Sequence, residues 1–308
     1  MNPGAGQSSV RGGLAALACY LAWGIFPVYW YQLASVDAVE LIAHRLFWTM
    51  AVTVPLLWWR DGLESVYAAF NSGRIILNHA LSGGLLTINW LVFVWAVNNG
   101  HVIETSLGYF LVPLVNIALG WSVLREKLRR AQWLAIAFAA AGVAWQLWQL
   151  GRLPWIALAL AGTFGTYGLL RKRSTLGSLP GLTVETLLLA PLAGAYLMWC
   201  THRGTGALGF APANIQLLVL TTGIVTATPL LLFAYGARRL RLTSLGLLQY
   251  AAPTVQFALG LWFFAEPFSA ARAQSFVLIW IGLAIYTGDA LRHRSRSLTP
   301  RQPTAGAS

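Results

Sequence analysis

Ten runs of about twenty mostly apolar residues follow one another along the chain, at 12–33, 39–59, 75–98, 105–124, 131–149, 154–170, 181–200, 214–236, 244–265 and 273–291. A helix needs about 20 such residues to cross a bilayer, so this succession reads as a polytopic α-helical membrane protein. The charge content agrees: 10% of residues are charged, against roughly 25% in a soluble domain, and nine acids cannot coat the surface of a water-soluble chain of 308 residues. The first run is too long for the apolar segment of a signal peptide, and it is expected to stay as a helix.

The basic residues orient the spans. Of the 21 Lys and Arg, 17 fall at the N-terminus, in the even-numbered loops or at the C-terminus, including the groups Arg125 to Arg130, Arg171 to Arg173 and Arg238 to Arg241. Arg152, Arg203 and Arg272 fall in odd-numbered loops, and Arg45 lies inside the second run. The positive-inside rule then places both termini in the cytoplasm and requires an even number of spans. A net charge of +12 would point to nucleic acid in a soluble protein, but topology accounts for these bases, and no nucleic-acid partner is expected. Cys19 and Cys200 lie in or beside apolar runs without metal-ligand or redox spacing.

The second half repeats the first. Thr105-Ser106-Leu107-Gly108 recurs as Thr243-Ser244-Leu245-Gly246 at an offset of 138. After a two-residue slip the match continues at an offset of 140, pairing Pro113 with Pro253, Ala118-Leu119-Gly120 with Ala258-Leu259-Gly260, Glu126 with Glu266 and Gly142 with Gly282. Upstream, Trp23-Gly24 aligns with Tyr167-Gly168, and Glu40 with Glu185. Five spans per repeat is an odd number, so the halves cross the membrane in opposite senses, with a substrate cavity expected between them near the midplane. The expected fold is therefore an all-α integral membrane protein of ten transmembrane helices in two inverted five-helix repeats. Residues 1–11 form a cytoplasmic tail, 12–149 the first repeat (helices 1–5), 154–291 the second (helices 6–10), and 292–308 a basic, disordered cytoplasmic tail.

These residues resemble a known family. Trp23-Gly24-Ile25-Phe26-Pro27, His44-Arg45, the stretch from Asn89 to Asn99, Glu104 to Phe110 with Pro113 to Asn116, and Arg238 with Leu242 to Gly246, Gln249 and Tyr250 are similar to the drug/metabolite transporter superfamily. The resemblance is to its EamA-type repeats and most closely to the RarD proteins, and it covers residues 11–291. It implies a bacterial inner-membrane transporter. One departure is the Glu closing the fourth span, which sits in Arg125-Glu126-Lys127, and in Ala265-Glu266-Pro267 in the second half, without the usual preceding Gly.

Charged groups in hydrocarbon are expensive and invite a reason. Arg45 is read either as a fixed cation for an anionic or zwitterionic substrate or as a tie between span ends through Glu40 or Glu104. His44 is either a proton-coupling group or a packing residue. Glu185 is either a proton carrier or a first-turn acid complementing its helix dipole, and Asp289 a partner for Arg292 or a nearby basic loop. Glu126 and Glu266 read as loop caps or salt-bridge partners. The expected substrate-binding walls are Trp23, His44, Arg45, Asn89, Trp90, Tyr109, Asn116, Tyr167, Gln249, Tyr250 and Gln256. Asn116 and Gln256 occupy equivalent repeat positions and are expected as paired amides that either bind substrate or hydrogen-bond helix to helix. Pro113 and Pro253, also equivalent, suggest a symmetric bend that gates the cavity. Gly83-Gly84 and the row Gly162, Gly165, Gly168 suggest close helix packing, and Trp58, Trp59, Trp145, Trp148, Trp155 and Trp199 suggest interfacial belts.

No GxxxxGK[ST], HExxH or GxSxG pattern occurs, and five scattered His show no ligand spacing. The expectation is a secondary transporter of small polar or amphipathic metabolites, an exporter, driven by protons or by exchange, without catalysis, cofactor or metal. Its partners are the substrate and the lipid bilayer. The alternative is a membrane-embedded sensor or assembly partner without transport.

Overall fold

The computed structural model describes residues 3–99, 101–151, 154–264 and 270–298, and among these all regular structure is helical. The order is α1 (Pro3–Tyr31), α2 (Ala38–Asp61), α3 (Glu64–Phe70), α4 (Gly73–Asn98), α5 (Val102–Ser122), α6 (Arg130–Leu150), α7 (Trp155–Arg173), α8 (Ser178–His202), α9 (Ala207–Phe210), α10 (Ala213–Arg239), α11 (Leu242–Gln249), α12 (Ala251–Trp262) and α13 (Ala270–Leu298). Eight helical stretches among the described residues are long and apolar enough to cross a membrane. In hydrocarbon every backbone N–H and C=O must be satisfied within the chain, which is why apolar runs of this length form helix rather than loop.

The sixth and ninth runs are helical without being among those eight, for different reasons. Helix α7 has 19 residues and ends on Arg171, Lys172 and Arg173, bases that suit the negative end of its dipole. The ninth run is not one helix: it breaks at Tyr250 into α11 and α12. Pro253 has no N–H to offer the Gln249 carbonyl, and Tyr250 N reaches back to Leu247 O (3.3 Å) in a tighter turn. Pro113, by contrast, lies within the unbroken α5, so the two equivalent prolines do not interrupt their spans alike. Two further expectations need correction at the ends. The N-terminal tail is helical from Pro3, and the C-terminal tail continues α13 as far as Leu298.

The chain forms two compact units, one comprising 1–126 and 152–268 and the other 127–151 and 269–308. In the first, Tyr20, Phe164, Tyr167, Phe233 and Leu242 are central to an apolar core to which α1, α7, α10 and α11 contribute. Helices come close where side chains are missing: a Cβ on Gly24 would lie 2.6 Å from Val255 Cβ, and one on Gly165 would lie 2.5 Å from Val115 Cγ1. Gly168 meets Asn116 Oδ1 in the same way at 3.3 Å, whereas Gly84 and Gly162, expected to pack closely, have open space. Asp37 Oδ1 accepts from Val39 N (2.9 Å) and Glu40 N (3.1 Å) to start α2, and Gly62, at φ 71°, ends it. Trp58 and Trp59, at the end of α2, are 70% and 82% exposed, as interfacial residues would be.

The second unit is the pair α6 and α13. A Cβ on Gly142 would lie 2.7 Å from Ser275 O, and one on Gly282 would lie 2.6 Å from Ala135 O. Asp289 accepts from Arg129 Nε (2.7 Å) and Nη2, which fits the loop-partner reading of that acid.

Candidate functional site

Arg45 is half-buried in the first unit, and its surroundings come from four other helices. Its guanidinium lies 3.7 Å from the Trp90 ring centroid on α4 and 4.6 Å from that of Trp30 on α1. Arg45 Nε donates to Thr226 Oγ1 on α10 (3.2 Å), and the phenols of Tyr29 on α1 and Tyr109 on α5 interact with its charge. Tyr29 is itself held, donating to Leu218 O (2.5 Å) beside Thr221 Oγ1 (2.9 Å). The proposed tie to Glu40 or Glu104 is not made. Glu40 accepts from Ala207 N (2.5 Å) and pairs with His44, and Glu104 pairs with His101 at 3.6 Å. Two indole faces over a guanidinium offset part of the cost of removing it from water.

His44 turns away from this site. Trp48 Nε1 donates to His44 Nδ1 (3.3 Å), and because an indole N–H can only donate, the ring proton sits on Nε2, which faces Glu40 Oε1 at 3.3 Å. That chain of bonds pins the start of α2 to the segment before α10 through the Ala207 amide.

A second polar centre joins α4, α7 and α8. Glu185 Oε1 accepts from Ser82 Oγ (2.5 Å) and Arg171 Nη1 (3.2 Å), with His79 Nδ1 at 3.4 Å. A carboxylate only accepts, so His79 presents its Nδ1–H to Glu185 and takes the Ser174 hydroxyl on Nε2 (3.0 Å). Arg171, His79 and Glu185 are each no more than 2% exposed. Glu185 Oε2, Arg171 Nε and Tyr167 Oη are buried without a hydrogen-bond partner among the described residues. A narrow cavity lined by Trp90 and Thr226, which flank Arg45, is also lined by Gly83, Leu182 and Glu185. Arg171, His79, Ser82, Trp30, Tyr29 and Thr226 were not singled out from the sequence. Helical spacing carried a signal for some of them: His79, Ser82, Leu86 and Asn89 recur at intervals of three and four, and Arg171 continues the Phe164, Tyr167 face.

Of the expected walls, Trp90 and Tyr109 gather at Arg45. The others lie elsewhere. Asn89 Nδ2 binds Leu160 O and Thr163 Oγ1 (2.9 Å each), tying α4 to α7. Trp23 packs edge-on to Phe164 (5.5 Å) and against Phe233 (5.8 Å), and Tyr167 stacks on Phe233 (5.7 Å). Tyr250 Oη donates to Phe110 O (3.3 Å). Asn116 does not meet Gln256: its Nδ2 donates to Gln249 Oε1 (2.8 Å), while Gln256 Nε2 donates to Trp23 O (3.2 Å).

Beyond these amides, Glu126 caps the start of α11. It accepts from Leu242 N (2.6 Å), Thr243 N (3.0 Å) and Thr243 Oγ1 (2.7 Å), with Arg241 Nε at 3.8 Å. An anion on a helix N-terminus satisfies backbone donors and complements the dipole. Glu126→Gln is expected to lower stability by about 1–2 kcal/mol, read as an earlier thermal unfolding midpoint in detergent. An unchanged midpoint would mean the cap contributes nothing. Glu266, its repeat equivalent, lies outside the described residues.

Comparison with known proteins follows from this geometry. The sequence profile of the EamA-like transporter family matches residues 10–148. An uncharacterized transporter of Pseudomonas aeruginosa is 43% identical over 297 residues, covering 94% of this chain and 97% of its own. Protein RarD of Escherichia coli is 42% identical, covering 93% and 97%. A solved crystal structure superposes with a TM-score of 0.68 over 91% of this chain and 98% of its own at 22% identity, a likeness of fold. Relatives this similar over nearly their whole length place the chain: it belongs to the EamA-like transporter family, among RarD-like multi-pass membrane transporters.

Proposed function

We propose that the chain is a secondary active transporter that exports small polar or amphipathic metabolites by alternating access between two inverted five-helix repeats, residues 12–149 and 154–291. The observation that carries this reading is reciprocal packing of repeat-equivalent residues. At the offset of 140, Gly142 equates with Gly282 and Ala135 with Ser275, and Gly142 meets Ser275 while Gly282 meets Ala135. Two halves that touch through the same positions in exchanged order are what a two-fold axis in the membrane plane produces. Adding α7 and the broken α11–α12 to the eight long apolar helices gives ten spans in this scheme, with both termini in the cytoplasm of a bacterial inner membrane. The substrate sits at Arg45, with Trp90 and Tyr109 as its walls, and no covalent chemistry or cofactor is needed.

Glu185 is the preferred coupling group. Its cluster shares a cavity with the neighbours of Arg45, and one carboxylate oxygen is buried without a partner. His44 is the weaker candidate, since both ring nitrogens are already engaged.

Proteoliposome flux tests the reading. Substrate drawn from metabolite profiles of cells lacking and overproducing the protein is expected to move under a pH gradient or in counterflow. Binding without movement in either mode would leave a sensor. Topology is checked in a Cys19→Ser, Cys200→Ser background, where Lys127→Cys is expected to label from the cytoplasmic side and Arg203→Cys from the opposite side. Labelling of both from one side would overturn the inverted arrangement.

A further inference from the structure

We infer that the ligand group held at Arg45 is a single carboxylate on a molecule with a flat apolar body, an aromatic monocarboxylate, in preference to a zwitterion or a phosphate ester. This rests on the transport reading only in taking Arg45 as the substrate position. Among the described residues the guanidinium makes one hydrogen bond, from Nε to Thr226 Oγ1, and none from the edge carrying Nη1 and Nη2. That edge matches the two oxygens of a carboxylate in a parallel pair of bonds. The guanidinium lies over the rings of Trp30 and Trp90, at 4.6 and 3.7 Å, which restrains its plane.

The charge count selects among anions. One cation neutralises one negative charge, and the groups facing it from the packed elements are Tyr29 and Trp30 on α1, Trp90 on α4, Tyr109 on α5 and Thr226 on α10, none of them a second cation. A dianionic phosphate ester would stay half unpaired. A zwitterion would bring an ammonium needing an acid, and the candidates are engaged elsewhere: Glu185 with Arg171, Glu40 with His44 and the Ala207 amide, and Glu104 with His101. An unpaired charge at this depth is costly, so both alternatives are rejected by what surrounds Arg45 rather than by its size. Four aromatic rings, Tyr29, Trp30, Trp90 and Tyr109, interact with the guanidinium and suit a planar apolar body.

The test uses the full chain in nanodiscs, with radiolabelled benzoate as probe and benzamide, phenylalanine and phenyl phosphate as competitors. Benzoate is expected to bind, and each competitor to be at least tenfold weaker than unlabelled benzoate. Arg45→Lys, which keeps the charge but loses the planar fork, is expected to weaken benzoate at least tenfold, and Arg45→Gln to abolish it. Trp30→Leu removes one of the two indoles with the charge intact and is expected to weaken binding severalfold; it serves where the Arg45 variants fail to fold. No benzoate binding, a competitor binding as tightly as benzoate, or full benzoate affinity in a folded Arg45→Gln or Trp30→Leu protein would each overturn the inference. Failure here is separable from failure of the transport reading. Flux of another solute that ignores Arg45 would sink the inference and keep transport, and Arg45-dependent benzoate binding without flux would do the reverse.

Discussion

Glu185→Ala is expected to destabilise the protein by about 3–5 kcal/mol, and Arg171→Ala by a similar amount, because each leaves an ionised partner stranded in the interior. The two groups meet at 3.2 Å with side chains 1% and 2% exposed, so water cannot take the place of the lost partner. The pair itself is a different matter. Replacing both at once, as Arg171→Met with Glu185→Leu, is expected to recover most of the loss, since the desolvation of two charges roughly offsets their attraction. Unfolding of the parent, Arg171→Met, Glu185→Leu and the double variant in mixed micelles, followed by circular dichroism, gives the four corners of the cycle. Losses that simply add in the double variant would show that the two side chains act independently. The double variant also separates stability from work: a well-folded protein that still exchanges substrate but no longer responds to a pH gradient would assign coupling to Glu185, and an undiminished response would remove it from that role.

The second large effect is expected at Gly223, where α10 crosses α2. A Cβ there would overlap the backbone carbonyl of Trp48 and lie 2.8 Å from Trp48 Cβ, so relief requires moving a helix backbone rather than a side-chain tip. Gly223→Ala is expected to cost about 1–3 kcal/mol and Gly223→Leu to prevent accumulation of folded protein. The effect reaches the site, because Thr226 lies one turn along α10 and Arg45 one turn back along α2 from this crossing. Parting the helices stretches the 3.2 Å bond between them, so Gly223→Ala is also expected to weaken ligand binding. Gly84, on α4 with nothing within 4 Å of its would-be Cβ, is the control. Gly84→Ala is expected to leave binding alone and to raise stability by up to about 1 kcal/mol through helix propensity. Equal behaviour of the two alanine variants would refute the crossing argument.

How much of this was legible beforehand differs from element to element. The apolar runs and the reading of Glu126 as a cap came from local signals, and the helices and the bonds to α11 agree with them. Asn116 and Gln256 both hydrogen-bond helix to helix, as one reading of them had it, but with different partners, and the reason is identifiable. Gln249 and Gln256 are seven residues apart and would share one face of an unbroken helix, but the break at Tyr250 separates them onto two helices. Gln249 then reaches α5 and Gln256 reaches the Trp23 carbonyl on α1. Arg171 was hidden by its company: within Arg171-Lys172-Arg173 all three bases read as topology markers, and only the partners supplied by α4 and α8 draw one of them inside. Trp30, Tyr29 and Thr226 had no polar anomaly to betray them, since their importance lies in where Arg45 is, a tertiary fact.

The Glu126 cap has a consequence for the timing of any conformational cycle. One carboxylate from the first half takes two amides and a hydroxyl from the second. Hydrogen bonds to a charged group contribute about 1.5–3 kcal/mol each, so parting the three dry would leave the parted form well below one molecule in a thousand. For the halves to separate there at a useful rate, solvent must wet Glu126 as the bonds let go. On the proposed transport cycle, wetting of this junction is expected to accompany each opening of the halves.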